Sequence, residues 1–203
     1  MKELFKNVWF RCISVLLIIA AISGGLLAIL NNVLYVSPAE RTNRAIKKIY
    51  GDEKEYSVII DTDGEDESKK EPKIYEEYGR IDKIYEIDKE DDSDGYYDLL
   101  FRATGYHGYK GGTITLWIKV VLKVDENPVI DKIVLESFEK QTLMSKLGDS
   151  FYGGFYDVTD KYYYATDETI EGETRNPVSG ATKSATAACN AVNCVIAYIK
   201  GGL

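Results

Sequence analysis

Histidine is nearly absent from this chain: His107 stands alone among 203 residues. No serine or cysteine nucleophile can be completed with a histidine and an acid around it, which sets hydrolase chemistry aside. Cysteine is scarce too. Cys12 lies in an apolar run, while Cys189 and Cys194 fall on different faces of one predicted helix, so the three form no disulfide framework. With no Cys-x-x-Cys and a single imidazole, the chain also lacks the ligands for a zinc site or an iron–sulfur cluster. Any electron carrier in it is therefore organic. Basic residues are the minority, 25 against 33 acidic, for a net charge of −8. Most of that excess acid follows the apolar run, which argues against nucleic acid and anionic lipid as partners.

Long hydrophobic runs occur once. Cys12 to Leu30 carries no charge and is preceded by Lys2, Lys6 and Arg11. About twenty apolar residues span a bilayer as a helix, and Trp9 and Tyr35 stand near the two ends, where amphipathic rings favour the interface. A cleaved secretory signal is the rival reading. The run exceeds a usual signal core, and Val36-Ser37-Pro38-Ala39 makes a poor cleavage site. Cys12 precedes the run, which removes a lipoprotein reading. Lysines and arginines flank both sides, so charge counting alone does not orient the segment. We expect an uncleaved anchor over residues 1–36, followed by one domain over 37–203 with a real core.

Ser37-Pro38-Ala39-Glu40 is a capping box with proline at the first helical position, predicting a helix from Pro38 to Tyr50 closed by Gly51. Residues 52–94 are charge-rich, with strand-like patches at Tyr56 to Ile60 and Ile81 to Ile87. Asp61-Thr62-Asp63-Gly64-Glu65-Asp66 lacks the spacing and terminal glutamate of a calcium loop and reads as a solvated turn. Tyr96 to Thr104, Thr113 to Val124 and Val129 to Phe138 are long β-rich stretches, the last two joined as a hairpin at Asp125-Glu126-Asn127-Pro128. The fold class expected is α+β, a twisted antiparallel sheet with packed helices. Gly105 to Gly112 reads either as a flexible hairpin loop or as backbone passing beside a flat ligand, with Tyr106 or Tyr109 as a stacking face. His107 reads as a loop residue. The aromatics of Leu147 to Tyr164 read first as core, with one or two free to wall a ligand.

The richest segment is Ser179-Gly180-Ala181-Thr182, placed directly before a closing helix from Lys183 to Lys200. A small-residue turn ahead of a helix offers backbone N–H groups and a partly positive end to a phosphate. Ser179 or Thr182 as an ordinary N-cap is the plainer alternative. The helix itself is rich in Ser184, Ala185, Ala187, Ala188, Ala191 and Ala197, small enough to lie close on a sheet.

This tetrapeptide resembles the flavinylation motif of the FMN-binding domain family, which includes the G subunit of Rnf complexes and the C subunit of sodium-pumping NADH:quinone reductases. The single membrane helix, the Gly105 to Gly112 segment before a long strand, and a segment ending in Gln141-Thr142 also resemble that family and stand in the same order. Two features differ from the family pattern. Asn176 stands where the family usually has aspartate, and Gln141-Thr142-Leu143-Met144-Ser145-Lys146 replaces Glu-Thr-Pro-Gly-Leu-Gly. The resemblance implies FMN joined to Thr182 through a phosphoester. Ser179, Gly180, Ala181, Lys183, Ser184, Gly111, Gly112 and Thr142 would then be its neighbours. It further implies maturation by a flavin transferase that uses FAD, a cytoplasmic N-terminus with the large domain extracytoplasmic, and partners among other subunits of a membrane electron-transport complex. An Rnf-type subunit relaying electrons between ferredoxin and NAD⁺, coupled to Na⁺ or H⁺ translocation, is the leading expectation. The alternatives are a stand-alone anchored flavoprotein serving extracellular acceptors and a non-redox binding domain whose motif only caps a helix.

Overall fold

The structure is a computed structural model of the chain and describes residues 8–34, 36–87, 96–123, 125–156, 159–166 and 174–201. Lys2, Lys6, Tyr35 and Val124, named above, lie outside these residues. The chain divides into two compact units, Met1–Arg41 and Thr42–Leu203. The boundary between them falls within the helix that begins at Pro38.

Helix α1, Val8–Leu34, contains the span Cys12–Asn31, with mean hydropathy 2.7 and none of its window buried. It is long and apolar enough to cross a membrane. Helix α2, Pro38–Tyr50, begins as its capping box predicts, with the Glu40 N–H donating to Ser37 Oγ at 3.1 Å. Gly51 ends it in the left-handed region (φ 88°), its N–H bonding Lys47 O at 2.9 Å.

The sheet comprises β1 (Tyr56–Asp61), β2 (Lys73–Tyr75), β3 (Gly79–Ile87), β4 (Tyr96–Gly105), β5 (Ile114–Lys123) and β6 (Val129–Phe138). Its order is β1-β3-β4-β5-β6, entirely antiparallel, with β2 sharing the outer edge of β3. Alternation along the strands gives two faces. Leu99, Phe101 and Ala103 of β4 and Ile114, Leu116 and Ile118 of β5 pack with the closing helix α4, Thr182–Lys200. Tyr85, Leu100, Trp117 and Val134 instead pack with Ala45, Ile46 and Ile49 of α2. This is an α+β fold, as expected.

The alanines of α4 do what small side chains allow. Ala185, Ala187, Ala188 and Ala191 have no exposure at all. Cys189 and Cys194 are free and buried beside them, and burial pushes both thiols up. The short helix α3, Asp149–Gly153, adds Phe151 and Tyr152; Phe151 meets Tyr152 and Phe155 edge to face, and Phe155 meets Tyr163 the same way. The strands β7 (Tyr163–Tyr164) and β8 (Thr174–Arg175) form a parallel pair. Asn193 of α4 holds β7, its amide bonding both N–H and C=O of Tyr163 at 2.8 and 3.0 Å.

The acidic segment after β1 is more than a solvated turn. Lys83 is only 3 % exposed, and its Nζ lies 2.9 Å from Asp61 Oδ1 and 3.1 Å from Asp63 Oδ2. A lysine pointing into the sheet needs those carboxylates, because an unpaired buried charge is costly. Burial works to raise the Asp61 carboxyl, but hydrogen bonds from Tyr85 and Lys83 outweigh it and hold the group below the usual carboxylate range. Stability from Asp61 is therefore fully present above about pH 4 and lost as pH falls through the lowered folded value. Urea midpoints between about pH 2 and pH 6 should converge for wild type and Asp61→Asn as acid removes the carboxylate. Parallel curves would show that Asp61 does not carry the acid sensitivity.

Candidate functional site

The motif is a tight turn leading into α4. Ala181 N–H bonds Val178 O at 3.1 Å, and Gly180 takes φ 74°, a conformation that a side chain would strain. Ala181 is the N-cap residue, and no side chain caps the helix. Neither Ser179 nor Thr182 thus serves as the ordinary cap that the sequence also allowed. Helical bonding begins with Ala185 N–H to Ala181 O at 2.9 Å. The amides of Thr182, Lys183 and Ser184 accordingly have no intrahelical acceptor. Thr182 is exposed at the first helical position, and its hydroxyl has no hydrogen-bond partner among the described residues.

A cleft of about 430 Å³ opens at this helix end, lined by Tyr109, Thr142, Leu143, Gly180, Ala181, Thr182, Lys183 and Ser184. The fold thereby brings Thr142 together with Gly180, Ala181 and Thr182 of the motif, about forty residues further along the sequence. Tyr109 and Leu143 keep 37 % and 40 % exposure, leaving apolar surface at the mouth. Among the described aromatics of residues 147–164 none lines this cleft; Phe151, Tyr152 and Phe155 belong to the core, and Tyr109 is the ring that faces the cleft.

Gln141 joins the parts. Its Oε1 accepts from Tyr109 N–H at 3.1 Å and from Ser184 Oγ at 2.9 Å, and its Nε2 donates to Glu139 O at 2.9 Å. One buried amide so ties the glycine segment, the end of β6 and the first turn of α4. Two expectations change as a result. Ser184, expected to offer its hydroxyl to a ligand, is buried and spends it on Gln141; its main-chain N–H remains. Gly111 and Gly112 are not in the cleft lining. Gly111 supplies a positive φ of 70°, and a Cβ at Gly112 would come within 2.1 Å of Glu139 O. Gly111 thus supplies the turn and Gly112 the close approach to Gln141, whose amide holds the Tyr109 N–H.

Lys146 closes the short helical turn Met144–Lys146. Its Nζ donates to Ser179 O at 2.9 Å, in the space a Cβ at Gly180 would approach. Asn176 also makes a defined contact. Its Nδ2 donates to Phe151 O at 3.0 Å and so ties the motif's lead-in to α3. A carboxylate at that position has no proton to give a carbonyl. His107 is exposed in the loop, as expected. Among the described residues no cluster of histidine, cysteine, aspartate and glutamate could hold a metal ion.

No protein-family model matches the chain, and comparison with curated proteins returns no match.

Proposed function

We propose that this chain is a membrane-anchored electron-transfer flavoprotein subunit of Rnf type, carrying FMN esterified to Thr182. The observation that carries the reading is the Thr182 hydroxyl, exposed and uncommitted at the first position of α4, on the edge of a cleft of about 430 Å³. That cleft falls within the usual range for small-molecule sites.

The residues fit a flavin phosphate. The amides of Thr182, Lys183 and Ser184 point a partly positive helix end at it. Gly180 and Ala181 leave the approach open, and Lys183 adds a nearby charge. Thr142, Leu143 and Tyr109 would border the ring. When bound, FMN supplies one- or two-electron redox chemistry that no side chain here offers. The protein's part is to hold the phosphate, shield one side of the ring and keep the cofactor attached. Attachment suits a domain outside the cytoplasm, where a dissociated cofactor would be lost.

In this reading α1 anchors the chain in the cell membrane as a single pass, with a cytoplasmic N-terminus and residues 37–203 extracytoplasmic. The domain relays electrons among other subunits of a complex that couples ferredoxin oxidation and NAD⁺ reduction to Na⁺ or H⁺ translocation, and has little activity alone. Intact-mass analysis after co-expression with a flavin transferase tests the central claim. The expected result is a gain of one FMN less one water; an unchanged mass would overturn it.

A further inference from the structure

The turn before α4 carries a cation that no carboxylate neutralises among the described residues. Lys146 Nζ has Ser179 O as its partner, at 2.9 Å, and a neutral carbonyl does not balance an ammonium. Lysines elsewhere fall into two groups, some paired with acids and some not. Lys83 and Lys119 each reach two carboxylates, and Lys69, Lys70, Lys123 and Lys140 each reach one. Lys132 resembles Lys146, its Nζ donating to Lys48 O and Ile49 O at 3.2 and 3.1 Å; what sets Lys146 apart is its place against the turn that presents Thr182.

The turn leaves space for this cation. Gly180 has no side chain and sits at φ 74°, and a Cβ there would lie 2.7 Å from Lys146 Nζ. A side chain at position 180 would push the ammonium aside. It uses one of three donors on Ser179, so two remain for oxygens arriving at the turn. Lys146 follows Met144 and Ser145 in a short helical turn, and Leu147 behind it is buried in the core, which fixes the base of the side chain.

We propose that Lys146 is a positioning residue for flavin attachment: it latches the Ser179-Gly180 turn and serves as counter-charge to the phosphodiester formed on Thr182. This rests on the flavin reading above and adds a residue to it. In the loading step the bond between the FMN phosphorus and the bridging oxygen of FAD breaks. The Thr182 oxygen takes that phosphorus, its hydroxyl proton passes to a base of the transferase, and the bridging oxygen leaves with AMP. No electrons change hands. The product is an anion at the turn, and Lys146 is the cation already seated there.

The test compares the full-length chain in detergent with Lys146→Met, Lys146→Arg and, as a control, Lys140→Met. Each is incubated with flavin transferase and FAD, and initial incorporation is read by intact mass at low salt and at about 1 M salt, where exposed charges are screened. Lys146→Met should load about fivefold more slowly at low salt, with the gap from wild type closing at high salt. Lys146→Arg should stay within about twofold, because it keeps the charge and a donor. Lys140→Met should match wild type. In the loaded proteins the ³¹P resonance of the ester should move in Lys146→Met and stay in place in Lys140→Met. Loading of Lys146→Met at the wild-type rate, a deficit unaltered by salt, or an unmoved ³¹P resonance overturns the proposal while leaving the flavin reading intact. A wild-type chain that takes no flavin overturns both.

Discussion

Thr182→Ala should leave the chain without covalent flavin after co-expression with a transferase, its mass unchanged, while Thr182→Ser should still gain one FMN less one water. The expected effect is all or none, because alanine has no oxygen to carry the ester. Little else changes in this variant. The Thr182 hydroxyl makes no hydrogen bond among the described residues and caps nothing, and Ala181 remains the N-cap residue. Alanine also favours helix over threonine. Thermal unfolding of Thr182→Ala should therefore match wild type to within about 0.5 kcal/mol. A Thr182→Ala protein that still carries flavin mass would move the attachment to another residue, Ser179 first among them.

Gly105→Val should be among the most destabilising single changes in the domain. A Cβ at Gly105 would lie 1.9 Å from Ala187 O and 2.4 Å from Ala191 N, and both are main-chain atoms of α4. No rotamer change relieves a clash with backbone. Either α4 lifts from the sheet or β4 breaks its register with Gly79 and Ile114. Both routes disturb the contact that sets the depth of Thr182. The expected loss is at least about 3 kcal/mol by urea unfolding, or failure to fold. Gly111→Ala is the useful contrast: φ is 70°, but nothing lies within 4 Å of a Cβ there. Its cost should be the backbone term alone, about 1 kcal/mol. Similar losses in the two variants would show that close packing of α4 is not what Gly105 provides.

Local chemistry made much of the architecture readable. The capping box at Ser37 to Glu40 and Gly51 set the ends of α2, since each satisfies backbone groups within a few residues of itself. The strands β3 to β6 follow from β-branched and aromatic runs broken by turns. Only the short elements were illegible. β2 spans Lys73–Tyr75 and is stabilised by the edge of β3 rather than by its own residues. The solvated-turn reading of Asp61 to Asp66 missed Lys83 for a similar reason. The need for those carboxylates arises from a burial that occurs on another strand.

The site divides along the same line. Ser179-Gly180-Ala181-Thr182 stood out because a turn and the helix it precedes are contiguous. The contacts of Gln141 and Lys146 were not legible, because their partners Tyr109, Ser184 and Ser179 lie at least thirty residues away. Likewise, the Ser184 hydroxyl and Gly112 are committed to contacts with Gln141, while the Ser184 main-chain N–H stays at the open helix end.

By itself, then, the sequence determined what depends on near neighbours along the chain: one apolar span, the helix and strand boundaries, the α+β class and the turn that presents Thr182. Tertiary structure decided which of the surrounding polar groups were already spent and which stayed open. Hydrogen-bond capacity is used up by whatever the fold brings within about 3 Å, and only the packing of α4 on the sheet sets those distances.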